Sequence, residues 1–117
     1  MMLHEDCLFC KIIAGKIPCK TVYEDDAVLA FDDIAPMMPV HTLIVPKDHY
    51  DNLSDDVPAE VLGQVFGAVA KVAQLKGVDE SGYRIVSNAG PDAQQSVQHL
   101  HVHVLGGAPM NSGNPRE

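Results

Sequence analysis

Three histidines alternate with aliphatic residues in His99-Leu100-His101-Val102-His103-Val104-Leu105, a segment that holds half of the protein's six histidines. Residues two apart share one face of a β-strand and stand roughly 6.5 Å from each other. The pattern predicts a strand over residues 97–105 that aligns three imidazoles on one side and sends Leu100, Val102 and Val104 into a core. An exposed polar face would carry the same alternation, but three alternate imidazoles are a rare way to make a merely soluble surface.

The rest of the chain supplies partners for such a strand. Residues 7–15 read as a short helix stopped by Gly15, with Pro18 blocking its continuation. Residues 21–23 and 28–32 read as a hairpin around the acidic turn Glu24-Asp25-Asp26. Pro36 and Pro39 mark an irregular crossing into an apolar strand, Val40–Pro46, closed by its own proline. Asp55 and Asp56 are placed to cap a long helix and Pro58 to sit in its first turn, while Val61, Leu62, Val65, Phe66, Val69 and Ala73 recur at helical spacing before Gly77. Residues 83–87 form a further strand, and the polar loop 88–96 joins it to the histidine segment. Strands, a helix and more strands without βαβ alternation imply an α+β domain, an antiparallel sheet of about five strands with one long and one short helix. At 117 residues one core is expected: a domain over residues 7–107, an N-terminal extension at 1–6 and a loose C-terminal tail at 108–117.

Lysine and arginine total 8 against 16 aspartates and glutamates, a net charge of −8. Such a surface repels polyanions, which argues against nucleic acid and anionic membrane as partners. The N-terminus lacks the basic flank and apolar stretch of a signal peptide, and no run approaches membrane-spanning length, so the cytoplasm is the expected compartment. There Cys7, Cys10 and Cys19 are expected as thiols or metal ligands, an odd count fitting poorly with disulfides. Cys7 and Cys10 share a helix face, and the distant His49 and His99 could complete a closed zinc site of two thiolates and two imidazoles after folding. A redox pair or two buried small residues would have the same spacing. The loop at 88–96 carries amide and hydroxyl side chains beside the histidines, which suits a phosphate, although a plain surface loop would read the same way.

The segment from His99 to Leu105 resembles the His-x-His-x-His-x-x signature of the histidine triad family, x being hydrophobic. Phe9-Cys10-Lys11-Ile12-Ile13, Ile17-Pro18, Tyr23-Glu24-Asp25-Asp26, Leu29-Ala30-Phe31, Asp33-Ile34-Ala35-Pro36, Pro39-Val40-His41 and Ile44-Val45-Pro46-Lys47 are similar in order and spacing to the Hint branch of that family. Gly82-Tyr83-Arg84, Asn88 and Leu105-Gly106-Gly107 continue the likeness, which spans about residues 7–107.

The resemblance implies a homodimer of the histidine triad fold that binds a purine nucleotide of AMP or GMP type and hydrolyses nucleoside 5′-phosphoramidates. In that reading the catalytic group is His99, His101 and His103 with His41. His101 attacks the α-phosphorus to form a nucleotidyl-histidine that water resolves. His103 and Ser96 would bond the non-bridging oxygens, Asn88 and Gln95 would help hold the phosphate, and His41 would relay the leaving-group proton. Asp33 would accept the ribose hydroxyls. Phe9, Ile12, Phe31 and Ile34 would form the slot for the base, although plain core is the ordinary fate of such residues. The resemblance also strengthens a structural zinc on Cys7, Cys10, His49 and His99, and implies no organic cofactor.

Two departures from the family pattern stand out. Gln94 occupies a position where glycine is usual, bringing a Cβ into a loop that glycine would leave freer. The tail lacks an arginine after the glycine pair and lacks tryptophan, so leaving-group preference does not carry over. The alternatives to a phosphoramidase are a hydrolase of dinucleoside polyphosphates or other nucleotide conjugates, and a nucleotide-binding or scaffolding dimer with negligible turnover. A catalytic metal held by the three alternating histidines is a further reading, against which the cysteine pair argues.

Overall fold

The computed structural model describes His4 and residues 6–110; residues 1–3 and 5 of the expected extension and 111–117 of the expected tail lie outside the described residues. The first element is a short helix, Leu8–Ile13 (α1), whose start is capped by the Cys7 thiol accepting the Cys10 N–H at 3.3 Å. Thr21–Glu24 (β1) and Val28–Asp32 (β2) then pair as an antiparallel hairpin. Asp25 builds their turn: one carboxylate oxygen accepts the N–H groups of Ala27 and Val28 at 2.8 and 2.9 Å, and the other accepts the Tyr23 hydroxyl at 2.8 Å.

Val40–Pro46 (β3) pairs with β2, and after two helical segments, Ala59–Gly67 (α2) and Val69–Leu75 (α3), the chain adds Tyr83–Val86 (β4) and Val102–Gly106 (β5). A single 3₁₀ turn at Pro91–Ala93 lies between those strands. The strand order is β1-β2-β3-β5-β4, antiparallel throughout, as expected for the α+β class.

Each face of the sheet is covered by a different part of the chain. Val28, Ala30, Ile44, Val102 and Val104 pack against Val65, Ala68, Val69 and Val72 of α2 and α3. Leu29, Phe31, Leu43 and Val45 face the other way, with Phe9 and the two cysteines of α1 and its cap. Burial on both sides explains why β2 and β3 are nearly unbroken apolar runs. His103 pairs with Leu43, which places it on the α1 side, away from the two larger helices. Gly106 closes β5 where a side chain has no room: a Cβ there would stand 3.0 Å from Val78 and 3.2 Å from the Gly82 carbonyl oxygen.

Three expectations need correction. The long helix is divided at Ala68, whose N–H bonds the Val65 carbonyl three residues back at 3.2 Å, a tightened turn that apolar spacing does not register. Its start is not capped by Asp55 or Asp56. Pro58 is the N-cap residue without a side-chain bond, while Asp55 accepts the Asp51 N–H at 2.8 Å and Asp56 sits at φ 46°. The regular strand starts at Val102 and not at 97, because the Leu100 N–H bonds the Tyr50 carbonyl at 2.6 Å instead of a strand neighbour.

Candidate functional site

The late start of β5 leaves His99 in a bend and His101 just ahead of the strand, with only His103 in the ladder. All three imidazoles are buried, none more than 1% exposed, so the histidine face is an interior one. The rings diverge: those of His101 and His103 lie 5.0 Å apart, whereas His99 turns toward Cys7 and Cys10.

Carbonyl acceptors assign the tautomers, since a carbonyl oxygen can only receive a proton. His101 Nδ1–H donates to the His99 carbonyl at 2.6 Å, which leaves Nε2 as the basic nitrogen of that ring. The backbone of His101 is held in turn by the Ser87 hydroxyl, which donates to its carbonyl at 2.7 Å. His41 receives the Met37 N–H on Nδ1 at 3.0 Å, so its own proton is on Nε2, which donates to His103 Nδ1 at 2.8 Å. That donation puts the His103 proton on Nε2. Burial lowers the His41 pKa, opposed by the negative charge of Asp33, whose carboxylate lies 3.5 Å from His41 Nε2.

A second cluster forms where α1 meets the residues after β3. The ligand atoms of Cys7, Cys10, His49 and His99 all lie within 4.8 Å of one another, and all four residues are buried. His99 Nε2–H donates to the Pro46 carbonyl at 2.9 Å, and His49 Nε2 meets the Asp51 carboxylate at 2.8 Å. Each ring therefore turns a bare Nδ1 toward sulfur, with contacts of 3.3 to 3.5 Å. Tetrahedral zinc with its usual bond lengths sets sulfur and nitrogen ligands about 3.6 Å apart, so the donor set fits a closed site of two thiolates and two imidazoles. Burial lowers the His99 pKa to about 4 and raises that of the Cys10 thiol to about 11. The first keeps His99 neutral, as a ligand must be, and the second means that a cation displaces the thiol proton.

The remaining expected site residues divide. Asp33 sits at the end of β2 with one carboxylate oxygen accepting the Ala35 N–H at 2.8 Å. With Ile34 and His41 it borders a cleft of about 580 Å³ that extends to Lys20 and Lys76. Ile34 is wholly exposed, Ile12 is half-buried, and Phe9 and Phe31 are core residues packed edge to face at 5.5 Å. Phe9 also meets the His101 ring at 5.1 Å. Asn88 is half-buried and Ser96 exposed on the loop before the histidines.

Gln95 departs from expectation. Its amide nitrogen donates to the Asp51 and Val97 carbonyls at 2.7 and 2.9 Å, and its oxygen accepts from Gly90 N–H at 3.0 Å and Asn52 at 3.3 Å. The side chain braces the loop and has no donor left for a phosphate. Gln94 adopts the left-handed conformation a glycine would take, φ 61° and ψ 38°. The sequence reading assigns no site role to Asp51, Met37 or the carbonyl of Pro46. Asp51 carried a signal, a carboxylate two residues beyond His49, whereas the other two act through backbone atoms that a sequence does not distinguish.

The HIT domain matches residues 14–110. A 14 kDa zinc-binding protein of Brassica juncea is 49% identical over 111 residues, covering 91% of this chain and 96% of the relative. A purine nucleoside phosphoramidase of Escherichia coli is 42% identical over 111 residues, covering 92% of each. Among solved structures, a HIT family hydrolase from Clostridium thermocellum superimposes with a TM-score of 0.89 at 43% identity, covering 94% of this chain and 97% of that one. Matched along most of its length in sequence and in fold, the chain belongs to the histidine triad family.

Proposed function

We propose that this protein is a nucleotide hydrolase that cleaves purine nucleoside 5′-phosphoramidates through a covalent intermediate on His101. The observation that carries the reading is the 2.6 Å bond from His101 Nδ1–H to the His99 carbonyl, which fixes the tautomer whose lone pair is on Nε2 of a buried ring. Relatives named as a purine nucleoside phosphoramidase and a HIT family hydrolase support the substrate class and the reaction type.

In the first step His101 Nε2 attacks the α-phosphorus, the bond from phosphorus to nitrogen breaks, and the amine departs with a proton drawn from solvent, which the water of the second step replaces. Water then cleaves the new phosphorus–Nε2 bond, releasing the nucleoside monophosphate and returning the neutral imidazole. His103 Nε2–H and Ser96 donate to the non-bridging oxygens, where charge accumulates and fixed donors contribute several kcal/mol. His41 keeps His103 in its donor tautomer, a positioning role that the Met37 and His103 bonds favour over the relay expected from sequence. Asp33 takes the ribose hydroxyls, Ile34 covers the base, and Asn88 flanks the phosphate. Cys7, Cys10, His49 and His99 hold a structural zinc, a reading supported by the zinc-binding relative. Zinc would supply a four-ligand cross-link among three parts of the chain: α1 with its cap, the turn after β3 and the histidine segment. The active form is a homodimer joined at the open edge of β4, where Tyr83 and Ile85 are exposed.

AMP release from adenosine 5′-phosphoramidate tests this. His101→Ala should lower the rate by about a thousandfold or more while AMP still binds. No release by wild-type protein that binds AMP would overturn the hydrolase and favour a binding module.

A further inference from the structure

The metal cluster and the nucleophile share a residue. His99 turns its imidazole Nδ1 to the two thiols, at 3.4 and 3.5 Å, while its carbonyl accepts the His101 Nδ1–H. Ring and carbonyl belong to one residue held on both sides, Nε2–H on the Pro46 carbonyl at 2.9 Å and the following Leu100 N–H on the Tyr50 carbonyl at 2.6 Å.

Two further connections run the same way. Phe9 lies between Cys7 and Cys10 in sequence and meets both the His99 and His101 rings edge-on, at 6.0 and 5.1 Å. Asp51 receives His49 on its carboxylate and Gln95 on its carbonyl, which ties the turn after β3 to the loop at 88–96. The His101 ring and the loop at 88–96 are thus both linked to residues of the cluster.

We infer that the Cys7–Cys10–His49–His99 centre is a positioning device for the nucleophile, metal occupancy and the placement of the His101 ring being coupled through the His99 carbonyl. The inference rests on the zinc reading proposed above. Coupling between two sites is reciprocal, so a ring that the metal holds in place must in turn strengthen the hold on the metal. His99 is then a positioning residue: its ring is turned to the thiols and to Pro46, and it acts on His101 through its carbonyl.

The test is the zinc affinity of the full-length protein, measured by competition with a chromophoric chelator, for wild type, His101→Ala and His101→Asn. Asparagine keeps an N–H close to the position of imidazole Nδ1 and supplies no nucleophile. His101→Ala should bind zinc at least about fivefold more weakly, and His101→Asn should return to within about twofold of wild type although it hydrolyses nothing. Equal affinity in all three proteins, or an asparagine variant as weak as the alanine one, would overturn the coupling while leaving the zinc centre intact. Wild-type protein that takes up no zinc would remove the zinc reading and the coupling together. Should His101→Ala fail to fold, His101→Phe, which fills the space of the ring without its N–H, takes its part: affinity at least about fivefold below wild type supports the coupling and wild-type affinity overturns it.

Discussion

Gln94 ends the 3₁₀ turn at Pro91–Ala93 in the left-handed region, where a Cβ crowds the carbonyl oxygen at a cost of about 1 kcal/mol. Glycine removes that crowding but leaves the unfolded chain freer, so Gln94→Gly should raise the unfolding free energy by about 0.5 to 1 kcal/mol, read as an increase in denaturant midpoint at constant slope. A lower midpoint would mean that the glutamine side chain makes a contact worth more than its strain. At this scale the sequence displayed the chemistry of the site, because imidazole, thiol and carboxylate announce themselves by residue type. It did not display which nitrogen of each ring is bare. That choice belongs to the backbone of Pro46, His99 and Met37, two carbonyls and an N–H that any residue could supply.

The elements that were legible are those with strong local signals: the proline-closed β3, the β1–β2 hairpin built on Asp25, and the helical spacing of Val65, Val69 and Ala73. Local signals gave out where a distant partner decides. Residues 97–101 have the alternation of a strand but bond to the chain after β3, and Asp55, a good helix cap by type, serves the preceding turn. The edges of the sheet show what an element leaves undone. On β4, Tyr83 and Ile85 alternate with half-buried Arg84 and Val86, and each of the first two stays about 40% exposed at a strand edge with no ladder partner on one side among the described residues. An exposed apolar edge invites pairing. Sedimentation at micromolar concentration should show wild-type protein at twice the 12.6 kDa chain mass and Ile85→Lys at the chain mass. A 12.6 kDa wild-type species would contradict the proposed dimer.

Taken whole, the molecule places titratable groups where only the neutral forms fit, and its stability must therefore depend on pH. His99 is held at about 4 and His41 below the ordinary histidine value, both chiefly by burial. The unfolded chain takes up protons near pH 6.5 that the folded chain refuses, so each such histidine removes stability as pH falls below that value, by up to about 1.4 kcal/mol per pH unit, until its folded pKa is reached. Metal-free protein should melt at a steadily lower temperature from pH 6.5 down toward 4 and change little between 7 and 8. A flat profile across the acid range would mean that these rings are solvated. The same burial keeps His101 in one tautomer beside a carbonyl acceptor, and the central claim is that this ring becomes the nucleotidyl carrier. Rapid acid-free quenching of wild-type protein during turnover of adenosine 5′-phosphoramidate, followed by peptide mass spectrometry, tests it most directly. The account predicts an AMP adduct on the peptide containing His101, formed and consumed at the rate of turnover. AMP produced at full rate with no adduct at that histidine would contradict it.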